Sequence, residues 1–191
     1  MPQEKRSSYY VLDAANPKRM LLGSLDDPSL DDSWLYGAPF SEPPTTPVVV
    51  GIIPGYEKAE LLPYFGTPPV MSDKFYEALV SAGVDNLEVY DAVLASEDDK
   101  IQYKGFKAFN LIGLVKAADL EKTVFAADND SRLLDAGVES LVIDPEKARG
   151  LLMFRLAEYA GAVIVHETIK ETIEKHNFPH VVFREPEEFM S

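Results

Sequence analysis

Residues 70–89 and 164–183 carry the same apolar pattern, 94 positions apart, and align without a gap. Phe75, Ala78, Leu79 and Ala82 fall opposite Ile169, Thr172, Ile173 and His176. Gly83 falls opposite Asn177, and Leu87 and Val89 fall opposite Val181 and Phe183. None of these positions is identical, so the correspondence is one of pattern. The i, i+3, i+4, i+7 spacing puts each set of four on one helical face. Ser72 is a good N-cap and Asp73 suits the positive end of a helix; the second copy has Glu167 there but only His166 at the cap. Gly83 and Asn177 are the residue types that best tolerate the left-handed position ending a helix. The spacing therefore predicts two strand–helix–strand modules. Their apolar residues are read as packing: burying Phe75 or Ile173 gains roughly 1.5–3 kcal/mol before entropy is subtracted.

The rest of the chain reads as strands and loops. Eleven of the fourteen prolines lie in residues 1–69, which predicts loops and short edge strands there, because proline breaks ladders and helix interiors. Residues 9–12 read as a first strand, 26–32 (DDPSLDD) as an acidic turn, and 48–53 as the clearest strand of this region. Trp34, Tyr36 and Phe40 read as anchors holding the irregular segment to the core. Residues 87–94 and 101–111 predict a hairpin about the polar turn 95–100, with Gly105 shifting the phase as a bulge would. Residues 141–144 and 151–156 read as strands around a brief helix capped by Asp144, opened by Pro145 and ended by Gly150. Residues 185–191 read as an acidic tail. The expected fold is α+β: a mixed, largely antiparallel sheet, two pseudo-repeated strand–helix–strand modules and an irregular Pro-rich N-terminal third. One domain is expected over 1–191, divided into 1–68 (irregular and β), 69–112 (first module and hairpin) and 138–185 (second module).

Eighteen basic and thirty-two acidic residues give a net charge of −14. Such a field repels nucleic acid and anionic membranes. It attracts a basic protein within a Debye length of about 8 Å at physiological salt. The chain has no cysteine, which removes disulfides, thiolate metal sites and cysteine nucleophiles. The first residues lack the apolar core of a secretory signal, and no run reaches the ~18 apolar residues of a membrane span. A cytoplasmic location is expected.

Motifs for chemistry are missing. No G-x-G-x-x-G, P-loop or G-x-S-x-G occurs, so neither a phosphate cradle nor a nucleophile elbow is predicted. His176 and His180 are four apart, but Pro179 and the expected stop at Asn177 break the helix a metal pair would need. His166, His176 and His180 are read as caps and surface groups. Asp128-Asn129-Asp130 has the start of a calcium loop, with Leu133 where the glycine belongs. No cofactor and no metal is expected, and no catalytic residue is assigned.

The ordered elements resemble a known family. Tyr10-Val11-Leu12 looks like its N-terminal strand. Residues 69–75 (PVMSDKF), with Leu79 and Gly83, look like its first helix module. Phe109-Asn110, Asp119-Leu120, residues 141–144 (LVID), Phe154-Arg155-Leu156 and residues 163–167 (VIVHE) follow in the family's order. The set resembles immunity-protein family eleven of bacterial polymorphic toxin systems, whose members sit beside toxins. His166 and Thr168 depart from the serine and lysine usual in the last module.

The resemblance implies a non-enzymatic antitoxin-like protein that binds a cognate toxin domain and blocks its active site or substrate path. The charge adds that the toxin is basic, such as a nuclease. Expected contacts are Glu97, Asp98, Asp99, Asp128 and Asp130 in two acidic loops, with Trp34 and Tyr36 as aromatic anchors. Two other classes fit a chain without a catalytic signature: a small hydrolase-like enzyme using cleft or surface carboxylates, and a non-catalytic oligomeric scaffold.

Overall fold

The computed structural model describes residues 8–125 and 137–190. Among these residues there are twelve strands: β1 (Tyr9–Ala14), β2 (Val48–Gly51), β3 (Tyr64–Phe65), β4 (Val70–Ser72), β5 (Leu87–Ala95), β6 (Gln102–Leu111), β7 (Leu114–Val115), β8 (Val124–Phe125), β9 (Val138–Ser140), β10 (Met153–Leu156), β11 (Tyr159–His166) and β12 (Val181–Arg184). Three α-helices accompany them, α1 (Asp73–Ser81), α2 (Pro145–Ala148) and α3 (Glu167–Lys175), with a 3-10 turn at Pro186–Glu188. The fold is α+β and mostly sheet. In place of one mixed sheet there are two five-stranded sheets, β12-β1-β11-β10-β7 and β2-β5-β6-β4-β3, and a two-stranded ribbon β8-β9. Pairing is antiparallel except β10 with β7 and β2 with β5.

α1 and α3 are each nine residues long and start alike. Ser72 caps α1 through its hydroxyl, which accepts from Phe75 N at 3.3 Å. His166 caps α3 through Nδ1, which accepts from Thr168 N at 3.2 Å. Gly83 and Asn177 follow the helix ends with φ of 97° and 51°, the left-handed stop the sequence predicts. Phe75, Leu79, Ile169 and Ile173 are all buried in one core. The strands on either side of each helix never pair with one another. Val70 of β4 and Tyr90 of β5 both face Ala108 of β6. Ile164 of β11 and Arg184 of β12 both face Val11 of β1. The pairings thus keep the 94-residue offset of the sequence pattern.

β1 was expected among edge strands but lies inside its sheet, paired on both sides. Its residues 9–14 are free of proline, so every N–H is available to the two ladders. Tyr10 and Leu12 enter the core between the two large sheets, while Tyr9 and Val11 enter a second cluster with Leu141, Ile143, Phe154 and Ile164. A strand buried on both faces reads as a continuous apolar run, which accounts for the Tyr-Tyr-Val-Leu sequence. β2 and β3 are edge strands.

The hairpin forms as predicted. Ala92 faces Phe106 while Leu94 faces Tyr103, so β6 carries one extra residue, at Gly105 with φ of 84°. The brief helix also forms: the Asp144 carboxylate accepts from Glu146 N at 3.0 Å, and Arg149 and Gly150 end it at φ of 53° and 72°. The strand expected at 141–144 is displaced to β9, leaving Ile143 with a single bridge to Ala118. The acidic tail is docked, with Leu141 N donating to Pro186 O and Phe189 packed on Tyr159.

The seam between the sheets has polar fasteners. The Asn86 amide donates to Ile112 O at 2.6 Å and Met153 O at 2.9 Å. Arg155 is fully buried over the Phe109 ring, with Nη1 donating to Ala160 O at 3.0 Å. Desolvation lowers the pKa of this guanidinium.

Gly37 is where the irregular segment 15–47 meets the seam. Its φ is 65°, its carbonyl accepts from Gly113 N, and a Cβ there would meet Leu114 N at 2.7 Å. Gly37→Ala is expected to destabilise the fold by about 1–3 kcal/mol from the backbone conformation alone, with the backbone clash adding to it. Gly51→Ala is the control, because a Cβ there has nothing within 4 Å. Chemical denaturation of both variants checks the difference; equal stabilities would remove Gly37 from the seam.

Candidate functional site

The acidic residues predicted as contacts separate into those that fold the chain and those that face solvent. Ser96 and Ile101 close the β5–β6 turn, with Ser96 N donating to Ile101 O at 2.9 Å. Asp98 sits inside the turn. Its carboxylate accepts from Ser96 Oγ at 2.9 Å, Lys100 N at 3.2 Å and Lys100 Nζ at 2.6 Å. The Lys100 ammonium, helped by the Ser96 hydroxyl, holds Asp98 below the usual carboxylate range. Asp98 is therefore a turn-former whose carboxylate is paired with its neighbour Lys100. Asp99 takes the left-handed conformation, φ 55°, that the turn needs. Glu97 and Asp99 are exposed. The turn faces residues 54–58 across an open cleft of about 510 Å³, lined by Pro54, Glu57, Lys58, Glu97 and Lys100 among others. Its charge is mixed.

Asp128 and Asp130 lie outside the described residues.

The aromatic anchors divide as well. Trp34 is 2% exposed and belongs to the core. Its ring meets Phe40 at 4.9 Å and Tyr90 at 5.9 Å, both edge-on, and Nε1 donates to Asp26 O at 2.9 Å. Burial, with Glu88 beside it, pushes the Tyr90 hydroxyl up. Tyr36 is 62% exposed on the same loop. Trp34 thus anchors the loop, and Tyr36 is the aromatic that faces solvent. Tyr90 is six residues along β5 from Ser96, about 20 Å at a strand's rise of ~3.3 Å per residue. Among the described residues, the expected contacts therefore occupy two places, the β5–β6 turn and the loop that carries Trp34 and Tyr36.

Asp32, which sequence reasoning took only as part of an acidic turn, organises residues 26–42. Its carboxylate accepts from Ser29 Oγ at 3.0 Å, Ser41 N at 3.1 Å, Ser41 Oγ at 2.8 Å and Glu42 N at 3.3 Å. The two Ser41 bonds lead in holding its pKa below the ordinary value. Asp27 accepts from Trp34 N at 3.2 Å. Leu30, also missed by sequence reasoning, projects from this loop with 104% exposure. The available signal was the run 20–57, which holds six acidic residues and no Lys, Arg or His.

The histidines occupy separate structural places. His176 ends α3 and stacks on Phe178, while His180, at φ 63°, binds Glu60 at 2.8 Å. Among the described residues no group of three or more His, Asp or Glu is placed to hold a metal ion. Glu158 has a carboxyl pushed up by burial; the groups opposing that shift are backbone amides at 117, 118 and 158 and the Lys147 charge. No described helix is long and apolar enough to cross a membrane.

A family model described as an immunity protein family, Imm11, matches residues 60–188, about two thirds of the chain. The chain belongs to the Imm11 immunity protein family. The matched segment runs from the approach to β3 to the 3-10 turn and includes α1, α3 and the acidic hairpin. The family that the sequence resembles is thereby borne out. No curated protein matches the chain.

Asp32 gives a test of loop assembly. A depressed folded-state pKa contributes stability above the unfolded pKa of about 3.9. That stability is lost as pH falls through the lower folded value. Acidifying from about pH 5 towards pH 2 should therefore release the loop, and Asp32→Ala should release it at neutral pH. Trp34 is the sole tryptophan, so a red shift of its emission reports the change. A variant with unshifted emission at pH 7 would show that Asp32 does not hold the loop.

Proposed function

We propose that the chain binds one cognate toxin domain and neutralises it by covering its active site or substrate path with an acidic surface. Membership of the immunity protein family carries this reading. A net charge of −14 supports a basic partner, such as a nuclease whose substrate groove is positive. Opposite fields speed encounter and suppress wrong partners. A standard interface buries about 1,600 Å² in total, enough for two or three loops of this protein. The reading makes the chain a stoichiometric inhibitor rather than an enzyme, working in the cytoplasm where its toxin would act.

Glu97 and Asp99 are the hairpin charges available for steering. Reversing Asp98 would also unmake the turn it closes, so the informative variant is Glu97→Lys/Asp99→Asn, in which asparagine keeps the left-handed position tolerable. Stopped-flow association with the toxin domain encoded beside this chain should slow about ten-fold at low salt and become less salt-dependent, with dissociation little changed. Unchanged association and salt slope would take the hairpin out of the encounter surface. Failure of the unaltered protein to bind would sink the immunity reading itself.

A further inference from the structure

Leu30 and Tyr36 are the feature of this molecule least explained by its own stability. Leu30 at 104% and Tyr36 at 62% exposure stand six residues apart on one loop, each presenting apolar surface to water. Isolated exposed apolar residues are ordinary. Here they ride on a loop that is unusually well held. Asp32 gathers four donors across it, Asp27 and the Asp26 carbonyl hold Trp34, and the Trp34 ring is buried against Phe40 and Tyr90. Gly37 locks the far side onto Gly113. A loop ordered in advance loses little entropy on binding, and a rigid tyrosine is an efficient anchor.

Along the loop itself the charge has one sign. Asp26, Asp31 and Glu42 are exposed, and no cation occurs anywhere in residues 20–57. The β5–β6 turn differs, because Lys58 and Lys100 line its cleft and Lys100 pairs with Asp98. The loop also lies outside the segment 60–188 that the family model matches. Loops held on a rigid scaffold are where binding proteins commonly place their specificity.

We propose that the loop 26–42 is the element that selects the toxin. Leu30 and Tyr36 enter an apolar pocket on the toxin domain, and Asp26, Asp31 and Glu42 face Lys and Arg around its rim. This rests on the immunity reading and adds to it the recognition surface and the chemistry of the surface it meets.

The test is calorimetric titration of the toxin domain encoded beside this chain into the full-length protein and two variants. Leu30→Ala/Tyr36→Ala should bind at least about thirty-fold more weakly, as loss of a hot spot does, with an unchanged melting temperature. Asp26→Lys/Asp31→Lys should bind about ten-fold more weakly, with a shallower salt dependence. If the unaltered protein binds and both variants bind within about three-fold of it, the loop proposal is overturned while the immunity reading stands. If the unaltered protein does not bind, both fall together. A dimer seen by sedimentation that Leu30→Ala/Tyr36→Ala disperses, with toxin affinity unchanged, would assign the face to a second copy of this chain and overturn the proposal.

Discussion

The structure depends on filling a gap between strands. A helix joining two strands of one direction leaves them parallel, and here each pair is separated by a full strand position. Neighbouring strands lie about 4.8 Å apart, so an empty position would leave two rows of backbone N–H and C=O groups without partners. β6 fills the first gap, as the returning arm of a local hairpin. β1 fills the second, and it comes from the other end of the chain, more than 140 residues before its partners. The N-terminal and C-terminal parts therefore complete each other. Arg184 of β12 adds to the closure by donating to Asp13 at 2.9 Å. With β1 in place, one face of its sheet packs on the other large sheet and the helices. Its second face is covered by residues 117–118 and 138–148.

Much of this was legible because it is local. Ser72, Gly83, Asn177, Asp144-Pro145 and Gly105 mark helix ends and a bulge through backbone chemistry that a single residue expresses. The apolar spacing in α1 and α3 likewise follows from one helix's geometry. What the sequence left open was partnership between distant segments. Nothing within residues 9–14 says that they insert between β11 and β12, and the prolines around them pointed to an edge. The division into two sheets is a matter of strand pairing, which side-chain pattern specifies only weakly. The candidate site was legible as a set of residue types but not as a surface. A carboxylate in a loop looks the same in sequence whether it closes a turn, as Asp98 and Asp32 do, or faces solvent, as Glu97 and Asp31 do. Trp34 and Tyr36, two positions apart, have opposite fates for the same reason.

This division gives the charge a more definite meaning. Part of the acidity is structural: Asp27, Asp32, Asp98 and Glu60 hold loops through hydrogen bonds to serine, asparagine, histidine and backbone donors. Others, such as Glu97, Asp31 and Glu42, are exposed, and residues 20–57 carry their acidic groups without any basic residue. The segment the family model matches begins beyond this acidic and firmly held loop, whose own hydrogen bonds keep it in place.

Neutralisation, rather than binding alone, is the central functional claim. The direct measurement is survival of cells that express the adjacent toxin domain from an inducible promoter, with and without this chain. The account predicts that the chain restores growth and that an unrelated toxin of similar charge is not countered. Death of the cells despite full soluble expression of the chain would contradict it.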